Sequence, residues 1–244
     1  TGTGKTITSI FAATKIAEGN KGISLIVSVP YVDLANQWIS VLKLFNIHAL
    51  KCYGARDDWH PKLSNYFARN EANQSEFIAL VVVNKTLKSA EFQNQIHKLD
   101  MDRTIFIGDE CHHHSSLSFK DKLPIKAKFK LGLSATPFHY MDEEANERLK
   151  QIYGGSVYSY SLYQAIENGI LTPYEYYPVP VELTLEEAAE YYGLTEKIGK
   201  MIAVTGLSNS NDNEPLQSLL MRRARLVGTA SNKLIELKKL IFNI

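Results

Sequence analysis

The sequence predicts an α/β fold: a central parallel sheet flanked by helices, with a helical extension toward the C-terminal end. Three observations predict it. Apolar runs at Ile23–Val29, Phe77–Val83 and Ile105–Ile107 are rich in β-branched residues and lack polar alternation, the pattern of strands covered on both faces. Helical patterns separate them, so strand and helix alternate from Ile7 to Ala135, which calls for right-handed crossovers. The chain also opens on a glycine-rich loop, Thr1-Gly2-Thr3-Gly4-Lys5-Thr6, at the mouth of a helix.

The elements follow in order. Ile7, Ile10, Phe11 and Ala17 recur at helical spacing until Gly19. Ile23–Val29 is a strand that Pro30 closes. Leu34, Trp38, Val41, Leu42 and Phe45 mark one face of a helix from about Tyr31 to Asn46, and Trp38, on that stripe, is expected to pack in the core. Ala49–Tyr53 is a short strand. The polar stretch to Ser75 is expected as a loop with a short helix, and its Arg56, Lys62 and Arg69 read as solvated surface more readily than as phosphate ligands. Phe77–Val83 is the clearest buried strand, and Ile105–Ile107 opens a strand that ends in the adjacent carboxylates Asp109 and Glu110.

Beyond the run Phe129–Leu133, a helix is expected over Asp142–Tyr153, then a strand and a helix within Tyr158–Pro173. Tyr174–Val181 reads as an edge strand, since Pro178 and Pro180 cannot donate to a ladder. Thr184 and Glu187 form a capping box that starts a helix. A polar break at Ser208–Glu214 precedes a second long helix ending near Ile244, whose Arg222, Arg223 and Arg225 read as a charged face in preference to a phosphate contact.

Gly-Lys-Thr before a helix is the end of a P-loop. Glycines let backbone N–H groups close around phosphates, the helix start adds partial positive charge, and Lys5 reaches the β- and γ-phosphates. The Thr6 hydroxyl is placed to ligate magnesium. Asp109 and Glu110 stand where an open parallel sheet places its chemistry, at the C-terminal edge of a buried strand. The alternative, an acidic surface turn, loses ground to the P-loop at the other end of the chain. The first half of that loop and the strand feeding it would precede residue 1, so the chain is expected to be a piece of a longer protein.

Composition excludes several classes. A net charge of +1 over 244 residues gives no global basic field, so any nucleic-acid contact is local. Two cysteines, Cys52 and Cys111, make no disulfide framework. No signal peptide and no apolar run near the about 18 residues of a membrane span occur, so no membrane partner and a cytoplasmic setting are expected. Zinc is disfavoured at Cys111-His112-His113-His114, because four adjacent residues cannot converge on one ion.

TGTGKT at the start, DECH from Asp109 and Ser134-Ala135-Thr136-Pro137 resemble motifs I, II and III of superfamily 2 helicases and translocases, in that order. Val29-Pro30 with Leu34-Ala-Asn-Gln-Trp38 resembles motif Ia, and Asn84-Lys85-Thr86 resembles motif Ib. Tyr158–Pro173 resembles the close of the first motor domain in the branch holding excision-repair-type helicases and restriction-enzyme translocases.

The resemblance implies a RecA-like P-loop NTPase domain using ATP and magnesium. It implies nucleotide binding by Thr1, Gly2, Thr3, Gly4, Lys5 and Thr6, with magnesium held by Thr6 and Asp109 and catalysis by Lys5, Asp109 and Glu110. His112, Ser134 and Thr136 take the coupling role, with His113 and His114 expected outside the motif in a surface loop. Nucleic-acid contacts fall to Pro30, Asn84, Lys85 and Thr86, a hydroxyl and an amide past a strand end being suited to phosphates. An ATP-binding domain over 1–182 and a helical extension over 183–244 would lead to a second RecA-like motor domain, which brings the arginine finger. The function implied is an ATPase that couples hydrolysis to movement on DNA, favoured over RNA, with a nuclease or methyltransferase as a possible partner. The alternative is a nucleotide-gated nucleic-acid sensor, since DECH with cysteine also occurs among double-stranded-RNA sensors.

Overall fold

The computed structural model describes residues 3–70, 77–138, 142–205 and 214–242. The chain forms two compact units, Thr1–Pro173 and Tyr174–Ile244.

In the first unit α1 (Lys5–Glu18) leads to β1 (Ser24–Val29), α2 (Val32–Leu44), β2 (Leu50–Cys52), α3 (Arg56–Asn70) and β3 (Ile78–Val83). Then come α4 (Asn84–Leu87), α5 (Ala90–Ile96), β4 (Thr104–Asp109), β5 (Phe129–Leu133), α6 (Glu143–Tyr153) and α7 (Leu162–Glu167). The five strands are all parallel, in the order β2-β3-β1-β4-β5. This is the α/β, RecA-like arrangement the sequence predicts.

The central strands β1, β3 and β4 are buried along their whole length, because helices cover both faces. Strand alternation sends Leu25, Val27 and Val29 to one side, where they meet Ile10 and Ala13 of α1 and Trp38, Ile39 and Leu42 of α2. Ile26, Leu80, Val82 and Phe106 point the other way, onto Trp59, Leu63 and Phe67 of α3 and Phe92 and Ile96 of α5. Each fully buried Val, Leu, Ile or Phe among them contributes about 1.5–3 kcal/mol.

Three local expectations are corrected between Tyr53 and Val181. The stretch after Tyr53 holds a 15-residue helix, α3, rather than a loop with a short one. Pro61 lies inside it and removes an amide donor, but Trp59, Leu63 and Phe67, four residues apart, bury one continuous stripe that holds it. No strand forms around Tyr158, whose segment runs irregularly into α7. A capping box between Ser161 and Gln164 opens that helix. Tyr174–Val181 likewise carries no strand, as the missing donors of Pro178 and Pro180 permit.

The second unit contains α8 (Leu185–Thr205), α9 (Glu214–Gly228) and α10 (Asn232–Phe242). The expected capping box is present: Thr184 N donates to Glu187 Oε2 at 3.0 Å, and Glu187 N donates to Thr184 Oγ1 at 3.2 Å. The single long second helix is instead two. Its break falls after Gly228, where Ser231 donates through N and Oγ to Glu187 Oε1 at 2.9 and 2.8 Å. The hydrogen bonds from Thr184 and Ser231 hold the Glu187 carboxyl below its ordinary range. Arg222 pairs with Glu190 at 2.6 Å and Arg223 lies over the Tyr191 ring, which accords with a charged helix face.

Candidate active site

Parallel pairing brings the ends of four strands to one edge. Val29 lies beside Val83, Ser28 beside Gly108, and Asp109 beside Leu133. Pro30, Asn84, Glu110 and Ser134 are the next residues on their respective strands, so four of the sequence motifs emerge along a single sheet edge. Such an edge is where open α/β sheets build their sites.

At the start of α1, Gly4 has φ +80°, the left-handed region that glycine enters without strain. Among the described residues no side chain caps this helix, and its first turn carries no acidic residue, which leaves its leading N–H groups for an anion. Lys5 and Thr6 are partly exposed. Thr1 and Gly2 lie outside the described residues. No hydrogen bond or ion pair among the described residues joins Lys5 or Thr6 to Asp109 or Glu110.

Asp109 is buried at the end of β4, and both its oxygens are fixed. Trp38 Nε1 donates to Oδ2 at 2.7 Å and the Glu110 amide donates to Oδ1 at 3.0 Å. Trp38 is fully buried in the core, as its place on the α2 stripe predicts. Its bond to Asp109 was not legible, because nothing in the sequence relates one face of that helix to the end of β4. A buried carboxylate aimed by two donors, together with a Thr hydroxyl at an uncapped helix start, suits a magnesium–nucleotide pair.

Glu110 adopts φ +47°, unusual for a residue with a Cβ. Its carboxylate is partly exposed, whereas that of Asp109 is buried. Its Oε2 lies 3.4 Å from His112 Nδ1, and the same nitrogen lies 3.1 Å from Ser134 Oγ. With a carboxylate and a hydroxyl facing it, Nδ1 carries the ring proton. Ser134 Oγ in turn accepts from Thr136 N at 3.1 Å. The three residues expected to couple motifs II and III are thus joined.

Other expectations change. Asn84 is buried, its side-chain oxygen accepting from Ser28 Oγ at 2.8 Å. Lys85 is exposed, with Thr86 and Pro30 partly so. His114 does not lie in a surface loop; it is buried. Residues Cys111–Ser115 form a 3₁₀ turn, and its three-residue period places Cys111 and His114 on one inward side. His112 and His113 are left partly exposed. Burial, with the charges of Glu110 and Asp109, pushes the Cys111 thiol up to about 12, so it stays protonated. Among the described residues, no group of three or more His, Cys, Asp or Glu is arranged to hold a metal ion.

The five-stranded parallel sheet, with these residues along one edge, fits a motor domain of the superfamily 2 helicase class. Residues 1–139 match the family model described as "Type III restriction enzyme, res subunit", and the chain belongs to that family. Its fold is similar to a nuclease-deletion mutant of the Type ISP restriction-modification enzyme LlaGI in complex with a DNA substrate mimic, with TM-score 0.51 and 18% identity. That likeness covers 85% of this chain and 20% of the LlaGI chain, so the present chain spans about a fifth of its length. No curated protein sequence matches the chain. Among the described residues, no helix is long and apolar enough to cross a membrane.

Proposed function

We propose that this domain hydrolyses ATP to drive movement on DNA, as the first of two motor domains in its full-length protein. The observation that carries the reading is the paired carboxylate at the end of β4, with Asp109 buried and held by Trp38 and Glu110 partly exposed beside His112. The two groups therefore stand in different environments and suit different tasks. The restriction-enzyme family and the DNA-bound LlaGI neighbour support DNA over RNA as the track.

Phosphoryl transfer to water requires charge neutralisation and positioning. Lys5 supplies a cation to the β- and γ-phosphates, and the N–H groups at the start of α1 receive phosphate oxygens. Thr6 and Asp109 are the residues that would hold magnesium, which when bound supplies further positive charge to those phosphates. Glu110 orients the attacking water and takes its proton. His112 Nδ1 faces both the Glu110 carboxylate and the Ser134 hydroxyl, so the base is tied to the strand end that carries Thr136. Lys85, Thr86 and Pro30, along the same edge, receive the nucleic-acid backbone. A second motor domain would complete the site with an arginine.

The test is the ATPase rate of the full-length protein with double-stranded DNA, single-stranded DNA or RNA. Stimulation by double-stranded DNA above the other two is expected. A rate indifferent to all three would overturn the reading, and stimulation by RNA alone would replace DNA as the track.

A further inference from the structure

Outside the residues assigned to ATP, His114 is a buried residue with polar partners on both ring nitrogens. It lies between aromatic rings: Phe106 stacks on it at 5.9 Å and Phe119 tilts against it at 4.9 Å. Its Nδ1 is 2.6 Å from the Tyr153 hydroxyl at the end of α6. Its Nε2 is 3.4 Å from both Asn84 Oδ1 and Ser28 Oγ, which are themselves hydrogen-bonded. An amide oxygen only accepts, so Nε2 carries the proton and Nδ1 accepts from Tyr153. Burial, aided by His113 and His112, pushes the imidazole pKa down to about 3, and the ring is neutral at working pH.

The fold makes room for this ring. Gly108 and Gly132 are paired across β4 and β5. A Cβ on Gly108 would meet the Tyr153 hydroxyl and approach the His114 ring at 2.8 Å, and one on Gly132 would lie 3.0 Å from the Tyr153 ring. Tyr153 is held from its own helix as well, since Arg148 Nε, on α6, donates to Ser115 O at 2.7 Å. Four segments therefore meet at His114: β1 just before Pro30, the start of α4 just before Lys85 and Thr86, the turn that follows Glu110, and the end of α6.

We propose that His114 is a positioning residue that locks the segments bearing Pro30 and Lys85–Thr86 to the turn bearing Glu110, so that engagement of nucleic acid sets the geometry of the water-activating base. The inference rests on the reading of the chain as a nucleic-acid-dependent ATPase. Buried beneath the sheet edge, His114 is not placed to touch nucleotide or nucleic acid itself. Its effect passes through Asn84 and Ser28 on one side and through the turn Cys111–Ser115 on the other.

The variants His114→Gln and Tyr153→Phe, made in the full-length protein, test this. The second removes only the hydroxyl that Nδ1 accepts from and keeps the ring against Phe106. In both, ATP affinity and the ATPase rate without nucleic acid should stay within about twofold of wild type. The stimulation by saturating DNA should fall by roughly 2- to 30-fold, the range of a broken coupling contact. The milder Tyr153→Phe should show the smaller loss. A folded Tyr153→Phe and His114→Gln with wild-type stimulation would overturn the proposal. So would equal losses with and without DNA, because a merely structural role lowers both together. A wild-type protein that DNA does not stimulate would instead sink the functional reading on which this inference stands.

Discussion

Glu110 and Lys5 make separable predictions because they act on different species. Glu110→Gln keeps shape and a hydrogen-bonding oxygen but removes the charge and basicity, so ATP should still bind while turnover falls by roughly 10²–10⁴. Lys5→Ala removes a phosphate counter-charge and should weaken nucleotide binding itself. Nucleotide affinity measured beside hydrolysis rate distinguishes the two, and equal loss of binding in both would remove Glu110 from its role as base. His114 gives a pH prediction. Its pKa falls from 6.5 to about 3 on folding, so the unfolded chain binds more protons between those values. Its contribution is fully present above pH 6.5 and is lost as pH falls toward 3, at about 1.4 kcal/mol per pH unit within the window. His113 and His112 face the same ring electrostatically, so the comparison is His114→Gln against wild type. Denaturant melts from pH 7 to 4 should show a shallower acid loss in the variant. At this scale the sequence nominates Lys5, Asp109, Glu110 and His112 through motif chemistry. It hides His114 because three adjacent histidines read as a polar loop until the 3₁₀ period sorts them.

The elements most legible in advance were β1, β3 and β4, since a strand buried on both faces can hardly be written in anything but apolar residues. α3 was less so: Pro61 and the charged residues around it mask a stripe that only packing against β2 and α5 makes decisive. The break between α9 and α10 rests on Glu187 reaching Ser231 across 44 positions, a contact beyond local pattern. The pair Gly108 and Gly132 belongs to this scale too, because it lets α6 approach β4 and β5. Gly108→Ala should destabilise the domain by about 1–3 kcal/mol, the usual cost of overpacking. Adding Tyr153→Phe should recover part of that loss by removing the hydroxyl the new methyl would meet. Chemical denaturation of the two single variants and the double gives the coupling. Strictly additive losses would show that the hydroxyl is not what Gly108 makes room for.

For the whole molecule the governing quantity is charge. With 27 basic against 26 acidic residues and a net of +1, the chain has no long-range field to gather DNA. On the proposed reading, this domain's share of the grip comes from a few cations and N–H groups along the C-terminal edge of the sheet, where Lys85 stands exposed just past β3. Contacts of that kind reach phosphates and leave base edges unread. Binding by the full-length protein should therefore weaken linearly in log–log plots against salt, with about 0.9 in slope for each phosphate neutralised on duplex DNA. Lys85→Ala should lower that slope by about 1 and weaken all sequences alike. Titrations of two unrelated duplexes at several salt concentrations, with wild type and Lys85→Ala, measure both effects at once. A strong preference for one duplex at fixed salt would contradict backbone recognition and point to base readout. An unchanged slope in the variant would move the contact away from the end of β3, to another part of the same edge.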